Sequence, residues 1–226
     1  MCGRFGLTRP DRLDLERFGI DHLPTLVPRF NIPPGERILA IRVRDGTRSA
    51  SLLKWGLVPW WSSDPSIGHW LANARGDTAF EKASFRDPVR KRRCLIPADL
   101  FYEWQAVPGR RKKRPYVIRL RSEEPFALGG IWDFWRPASG GDGLATCAIL
   151  TTTSNVLLSP VHDRMPVIVR PERYSDWLDF RTPASRVQQL MQPYPSEEMI
   201  LWPIGLRVNS ANEDDAALLD REAEID

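Results

Sequence analysis

The feature that most narrows the fold is a series of short apolar segments, most of them separated by turn residues and none with a helical period. Residues 37–43 and 49–57 alternate apolar and polar side chains on either side of Asp45-Gly46. An Asp-Gly pair accepts the positive φ angles of a tight turn, and strict alternation turns one face of each flank inward. The pair reads as a β-hairpin. Further strand-like stretches follow at 94–97, 101–104, 115–121, 126–132 (interrupted by Gly129-Gly130), 145–151, 167–169 and 201–208. Helical patterning is confined to 8–18, 78–84, 172–180 and 182–191, with Thr8 and Thr182 placed as caps and Pro10 and Pro183 in the first turns. With no internal repeat and no linker, these 226 residues predict a single α+β domain of mostly antiparallel strands with peripheral helices.

Charge is the next constraint. The net +3 of the chain divides into −6 over residues 213–226 and +9 over the rest. A body this basic suggests a polyanionic partner, nucleic acid first. The acidic end, residues 213–226, reads as a solvating tail. No apolar run reaches the roughly 20 residues of a bilayer span, so no membrane partner is expected. Arg4, Arg9, Asp11 and Arg12 interrupt any secretory leader. The expected location is intracellular: cytoplasmic and nucleoid-associated if the source is bacterial. Cys2, Cys94 and Cys147 are odd in number and far apart, which argues against a disulfide framework. His22, His69 and His162 show no metal-ligand spacing, so neither a metal nor a cofactor is expected.

Several residue groups carry candidate chemistry. If Met1 is removed, Cys2 presents an α-amine and a thiol on adjacent carbons, with ordinary pKa values of about 7.7–8.0 and 8.5. Such a pair captures one aldehyde twice: the amine forms a Schiff base, then the thiol closes a thiazolidine ring. Glu103 lies among Phe101, Tyr102 and Trp104. Either it is buried, with its pKa raised into a range useful for proton transfer, or it faces water from an edge strand. The segment 161–166 holds His162 in the one strongly polar cluster that contains a histidine. Trp60 and Trp61 follow Pro59; alternation along an extended chain predicts that one lines a surface groove and the other packs inward. The basic run 110–114 reads as an exposed hairpin loop.

The blocks Met-Cys-Gly-Arg-Phe at 1–5, Phe-Asn-Ile-Pro-Pro-Gly at 30–35, Trp-Gly-Leu-Val-Pro-Trp-Trp at 55–61, Asn-Ala-Arg at 73–75, Cys-Leu-Ile-Pro-Ala-Asp-Leu-Phe-Tyr-Glu-Trp at 94–104 and Val-His-Asp-Arg-Met-Pro at 161–166 together resemble the SOS response-associated peptidase family. The resemblance spans residues 1–212 as one domain and leaves the acidic tail, 213–226, without a counterpart. It implies strongly curved, barrel-like antiparallel sheets around a basic channel. It also implies a sensor of abasic sites in single-stranded DNA, forming a thiazolidine crosslink through Cys2, with an associated lyase activity and reversal. In that reading Cys2 is the nucleophile, Glu103 a general acid/base and His162 serves the sugar chemistry and the reverse reaction. Asn73 holds the reacting terminus. Arg4, Arg75 and Arg164 bind phosphates; Pro34, Trp60 and Trp61 wedge or stack against bases; Asn31, Trp104 and Thr151 line the site. The sequence Gly68-His69-Trp70 departs from the family pattern.

Two other readings stay open. One is a thiol autopeptidase in which Cys2, Glu103 and His162 remove what precedes Cys2. The other is a non-catalytic single-strand-binding module. A monomer is expected, because neither a DNA channel nor a free terminus requires a second subunit.

Overall fold

In the computed structural model, which describes residues 2–222, the strands run in chain order as β1 (Arg4–Leu7), β2 (Arg29–Ile32), β3 (Arg37–Arg44), β4 (Thr47–Trp55), β5 (Asn73–Arg75), β6 (Arg93–Ala98) and β7 (Leu100–Gln105). They continue as β8 (Arg114–Leu120), β9 (Phe126–Trp135), β10 (Leu144–Thr153), β11 (Arg164–Pro166), β12 (Ile168–Val169) and β13 (Met199–Pro203). Four short helices lie between them: α1 (Leu15–Phe18), α2 (Arg86–Lys91), α3 (Tyr174–Leu178) and α4 (Ala184–Gln189).

The smaller sheet has the order β13-β8-β7-β1-β2 and is antiparallel throughout. The larger has the order β11-β10-β4-β3-β6-β9-β12, with β5 added to β10. Its β4–β10 and β5–β10 pairs are parallel and the rest antiparallel. The α+β class and the antiparallel bias match the sequence. The barrel-like form does not. The smaller sheet ends on β13 and β2; the larger curls enough for β9 to meet β10 as well, yet still ends on β11 and β12. At Asp99 the chain passes from β6 in one sheet to β7 in the other. Asp99 Oδ2 accepts the backbone N–H groups of Thr8 and Arg9 at 2.7 and 2.8 Å and the Thr8 hydroxyl at 2.9 Å. Strands that follow one another in the chain are thereby split between two sheets instead of entering one.

Alternation along the strands separates the core into layers. Ile38 and Ala40 of β3, Cys94 and Ile96 of β6, and Phe101 of β7 join Phe5, Trp55 and Ile118 between the sheets. Leu39, Ile41 and Leu95 face the other way, against α2 and α3 through Val89 and Trp177. Leu100, Tyr102 and Val117 pack under Ile204, Val208 and Leu218 of the C-terminal segment. Strands buried on both faces read as near-continuous apolar runs, which is why 94–97 stood out in the sequence.

Local departures have local causes. The helix expected over 8–18 splits into a 3₁₀ turn, Pro10–Arg12, and α1. Thr8 is committed to Asp99, Leu13 is extended, and Asp14 caps α1 by accepting Arg17 N–H at 2.9 Å. Residues 78–84 form turns, and helix begins only at Arg86. Gly129-Gly130 does not break β9: a Cβ at Gly129 would lie 2.8 Å from the Trp177 ring, and one at Gly130 would lie 2.7–2.8 Å from Ile96 and Cys94. These glycines admit close packing in an unbroken strand. The last strand is Met199–Pro203, followed by a 3₁₀ turn at Leu206–Asn209. Beyond it, the acidic segment expected to be solvated is tied to the body through residue 222: Asp214 accepts the backbone N–H of Asn31 at 2.8 Å, Leu218 is buried, and Glu222 N–H donates to Pro203 O at 3.0 Å.

Candidate active site

Cys2 enters the site as the approach to β1. Arg4, Phe5 and Gly6 lie opposite Tyr102, Phe101 and Leu100, and this antiparallel register carries the preceding residues toward the Glu103-Trp104 end of β7. Cys2 is fully buried in the inter-sheet core and is a free thiol. Its carbonyl accepts a hydrogen bond from Asn73 Nδ2 at 2.8 Å.

Asn73 is held firmly for that task. It opens β5, facing Ile149 of β10, and the preceding carbonyl of Ala72 accepts from Trp55 Nε1 at 2.8 Å and from Ile149 N–H at 3.0 Å. Asn73 Oδ1 is buried with no hydrogen-bond partner among the described residues, an acceptor beside the Cys2 backbone.

Glu103 lies within β7 opposite Tyr116 and is buried, which settles the two readings of its position. Burial raises its carboxyl pKa to about 7, and Lys113 offsets part of that rise. Burial, with the negative charge of Glu103 added, also pushes the Cys2 thiol well above its ordinary range. The thiol is therefore protonated at neutral pH.

His162 follows a tight turn in which its own N–H and that of Val161 both donate to Leu158 O. Its Nδ1 lies 3.0 Å from the backbone N of Arg164. Nε2 faces Glu103 Oε2 at 4.0 Å. Partial burial lowers the His162 pKa, partly offset by Asp163, whose carboxylate is 2.9 Å from Nδ1. Cys2, Asn73, Glu103 and His162 thus form one cluster, with a donor and a proton-exchanging carboxyl beside a buried aminothiol residue.

The other expected site residues fall into three settings. Arg4, Asn31 and Trp104 bind the C-terminal segment. Arg4 Nη1 donates to Asn31 Oδ1 and Val208 O, both at 2.8 Å, and Trp104 Nε1 donates to Asn209 Oδ1 at 2.8 Å. Buried Asn31 gives its amide to the carbonyls of Val208, Ser210 and Glu213. Arg75, Thr151 and Arg164 form a second set beside Asp77: Arg164 Nη2 donates to Thr151 O at 2.7 Å, and both arginines approach the Asp77 carboxylate. Pro34, Trp60 and Trp61 make the third set, all on the surface, with the tryptophans 61% and 49% exposed. Neither indole packs inward as alternation predicts. Ser62 N–H donates to Pro59 O at 3.0 Å, so the pair sits in a turn rather than an extended strand.

Trp70, in the segment that departs from the family pattern, is 86% exposed and lies three residues before Asn73. Two residues near the site were missed. Lys113 affects both Glu103 and His162, because the β7–β8 hairpin pairs Gln105 with Arg114 and brings the basic loop to the end of β7. Counting the register from Glu103 would have found it. Asp77 was signalled by its spacing of two from Arg75. Met1 lies outside the described residues. Among the described residues no group of three or more His, Cys, Asp and Glu side chains could hold a metal, and no helix is long and apolar enough to cross a membrane.

Comparison with known proteins adds a consistent set of relatives. The family model "SOS response associated peptidase (SRAP)" matches residues 1–211. The chain is 39% identical over 225 residues to the abasic site processing protein YoqW of Bacillus subtilis, covering 97% of this chain and 99% of that protein. It is 35% identical to the abasic site processing protein HMCES of Pongo abelii, over 75% of this chain and 56% of that one. Among solved structures, one from Bacteroides thetaiotaomicron aligns with a TM-score of 0.86 at 26% identity, covering 98% of this chain and all of the other.

Proposed function

The chain belongs to the SOS response associated peptidase family, and we propose that it captures abasic sites in single-stranded DNA as a covalent thiazolidine adduct on Cys2. The observation that carries this reading is the buried cluster in which Asn73 grips the Cys2 backbone beside Glu103 and His162. Once Met1 is removed, the Cys2 amine adds to the C1′ aldehyde of the opened sugar and water leaves to give a Schiff base. The thiol then adds across the C=N bond and its proton passes to nitrogen. One water is lost overall and no redox partner is needed.

The electrostatics fit that order of events. A thiol held protonated is a poor first nucleophile, so the amine attacks first. Glu103, titrating near neutrality, is suited both to donate a proton as the furanose ring opens and to accept one from the amine or thiol. His162, with Nε2 4.0 Å from Glu103 Oε2, assists the sugar chemistry and the reverse reaction. Asn73 fixes the Cys2 backbone and offers Oδ1 as a further acceptor.

Binding of the strand falls to the outer residues. Trp60, Trp61 and Pro34 supply exposed stacking and wedging surfaces. Arg75 and Arg164, beside Thr151, supply phosphate contacts. Arg4, Asn31 and Trp104, engaged with the C-terminal segment, support the wall behind Cys2. Intact DNA offers no aldehyde, so damage is read by reactivity and the phosphate and stacking contacts tolerate any sequence.

The test is incubation with a uracil-containing single strand after glycosylase treatment. The wild-type protein should give a denaturant-resistant adduct. Cys2→Ala should give one only when borohydride traps the Schiff base on the remaining amine. No adduct with wild type, or a stable one with Cys2→Ala in the absence of borohydride, would overturn the proposal.

A further inference from the structure

Arg75 and Arg164, on the proposed path of the strand, already share a carboxylate. Arg75 Nη2 lies 2.8 Å from Asp77 Oδ2 and its Nε lies 3.2 Å from Oδ1, a two-point pairing. Arg164 Nη1 lies 3.4 Å from the same Oδ2. Arg164 is buried, with Nη2 committed to Thr151 O, and its Nε has no hydrogen-bond partner among the described residues. Asp77 and Arg164 line a cleft of about 230 Å³ together with Thr152, Thr153 and Gln188. An oxyanion joining two guanidinium groups at the edge of a cleft has the charge and geometry of a bridging phosphate. The Arg75–Asp77 pair is half exposed and therefore weakly held, so a strand phosphate can exchange for the carboxylate.

We propose that Asp77 is a specificity-determining residue: it stands in for a strand phosphate on Arg75 and Arg164 and keeps affinity for undamaged single strands low. This rests on the reading that the protein binds single-stranded DNA. Phosphate contacts are common to intact and damaged strands, so strengthening them adds nothing to discrimination and prolongs unproductive complexes. Covalent capture supplies the retention that damaged strands need. Asp77 reduces the charge of the arginine pair from two to one, and an incoming phosphate must displace or share the carboxylate.

The test compares wild type, Asp77→Asn and Asp77→Glu for binding an intact fluorescent single strand by anisotropy across a salt series. Asp77→Asn should bind about threefold to tenfold tighter at low salt, with a log–log salt slope steeper by about 0.7 for each further phosphate that the freed arginines neutralise. In the presence of excess intact strand it should form less adduct with abasic DNA than wild type does. Asp77→Glu, which keeps the charge, should stay near wild type. Asp77→Asn binding no tighter than wild type, or more weakly, would show that Asp77 only aims Arg75 and would overturn the proposal. Asp77→Glu as tight as Asp77→Asn would overturn it too. The anisotropy arm needs no abasic site, so a wild-type protein that makes no adduct would remove the proposed chemistry and leave this result readable.

Discussion

Cys2 and Arg4 lie two residues apart, yet their side chains serve different parts of the molecule. Cys2 is buried between the sheets beside Glu103, its backbone held by a single side-chain hydrogen bond from Asn73. Arg4 belongs to a dense knot with Asn31 and the carbonyls of Val208 and Asn209, with Asp214 fixing the backbone of residue 31. In the knot, Asn31 gives its amide to three carbonyls and receives a guanidinium. In the cluster, Asn73 Oδ1 has no partner among the described residues and the Glu103 carboxyl titrates near neutrality. Satisfied polar groups stabilise a fold, whereas strained protonation equilibria and open acceptors are what chemistry requires. The knot holds β1 so that the cluster can carry an unfavourable charge environment.

Substitutions should separate the two regions, and the largest effect belongs to the cluster. Glu103→Gln should slow adduct formation by about 10²–10⁴-fold, the usual scale of general acid–base catalysis, measured by quenched time courses on abasic single strands. Its effect on stability should run the other way. With its carboxyl titrating near 7, the folded protein binds an extra proton from about pH 4.5 to 7, so stability falls as pH rises through that window. Glu103→Gln removes the proton uptake, and Tm measured from pH 5 to 8 should decline less than in wild type.

Asn31→Ala tests the opposite region. It removes the amide donations to the carbonyls of Val208, Ser210 and Glu213 and one acceptor of Arg4, and should cost about 3 kcal/mol, with Tm lowered by about 2–4 °C per kcal/mol. Below its Tm it should lose far less adduct rate than Glu103→Gln. If the ranking is reversed, so that Asn31→Ala abolishes the adduct in a stably folded protein, the division into knot and cluster fails. Trp60→Ala should weaken intact single-strand binding by about 1–2 kcal/mol with little change in Tm, because the indole is exposed. Smallest of all is Arg207→Ala. It removes exposed pairs with Glu213 and Asp215 and should change stability by less than about 1 kcal/mol on calorimetry.

The same contrast explains what could be read from the sequence. The hairpin around Asp45-Gly46 was legible because local turn chemistry and alternation agree: β3 runs one residue past its predicted segment, and β4 starts and ends two residues earlier than predicted. The cluster of Cys2, Asn73, Glu103 and His162 was legible through family motifs, although Asn73 and His162 reach it by long-range pairing of β5 with β10 and a turn that no periodicity reveals. The division into two sheets was not legible, since the corner between β6 and β7 is held by long-range contacts in which Asp99 gathers donors about 90 residues away. Nor was the C-terminal knot: acidic composition resembles a solvated tail, and only the tertiary partners Arg29, Asn31 and Arg207 turn Asp214 and its neighbours into structure. The outward placement of both Trp60 and Trp61 followed from a turn that alternation could not anticipate.

The most direct test is the intact mass of the adduct between the full chain and a single strand carrying one abasic site. The prediction is the mass of the protein without Met1 plus the DNA, less one water, formed without reductant. An adduct that retains Met1, or a mass increment that maps to a residue other than Cys2, would contradict the account.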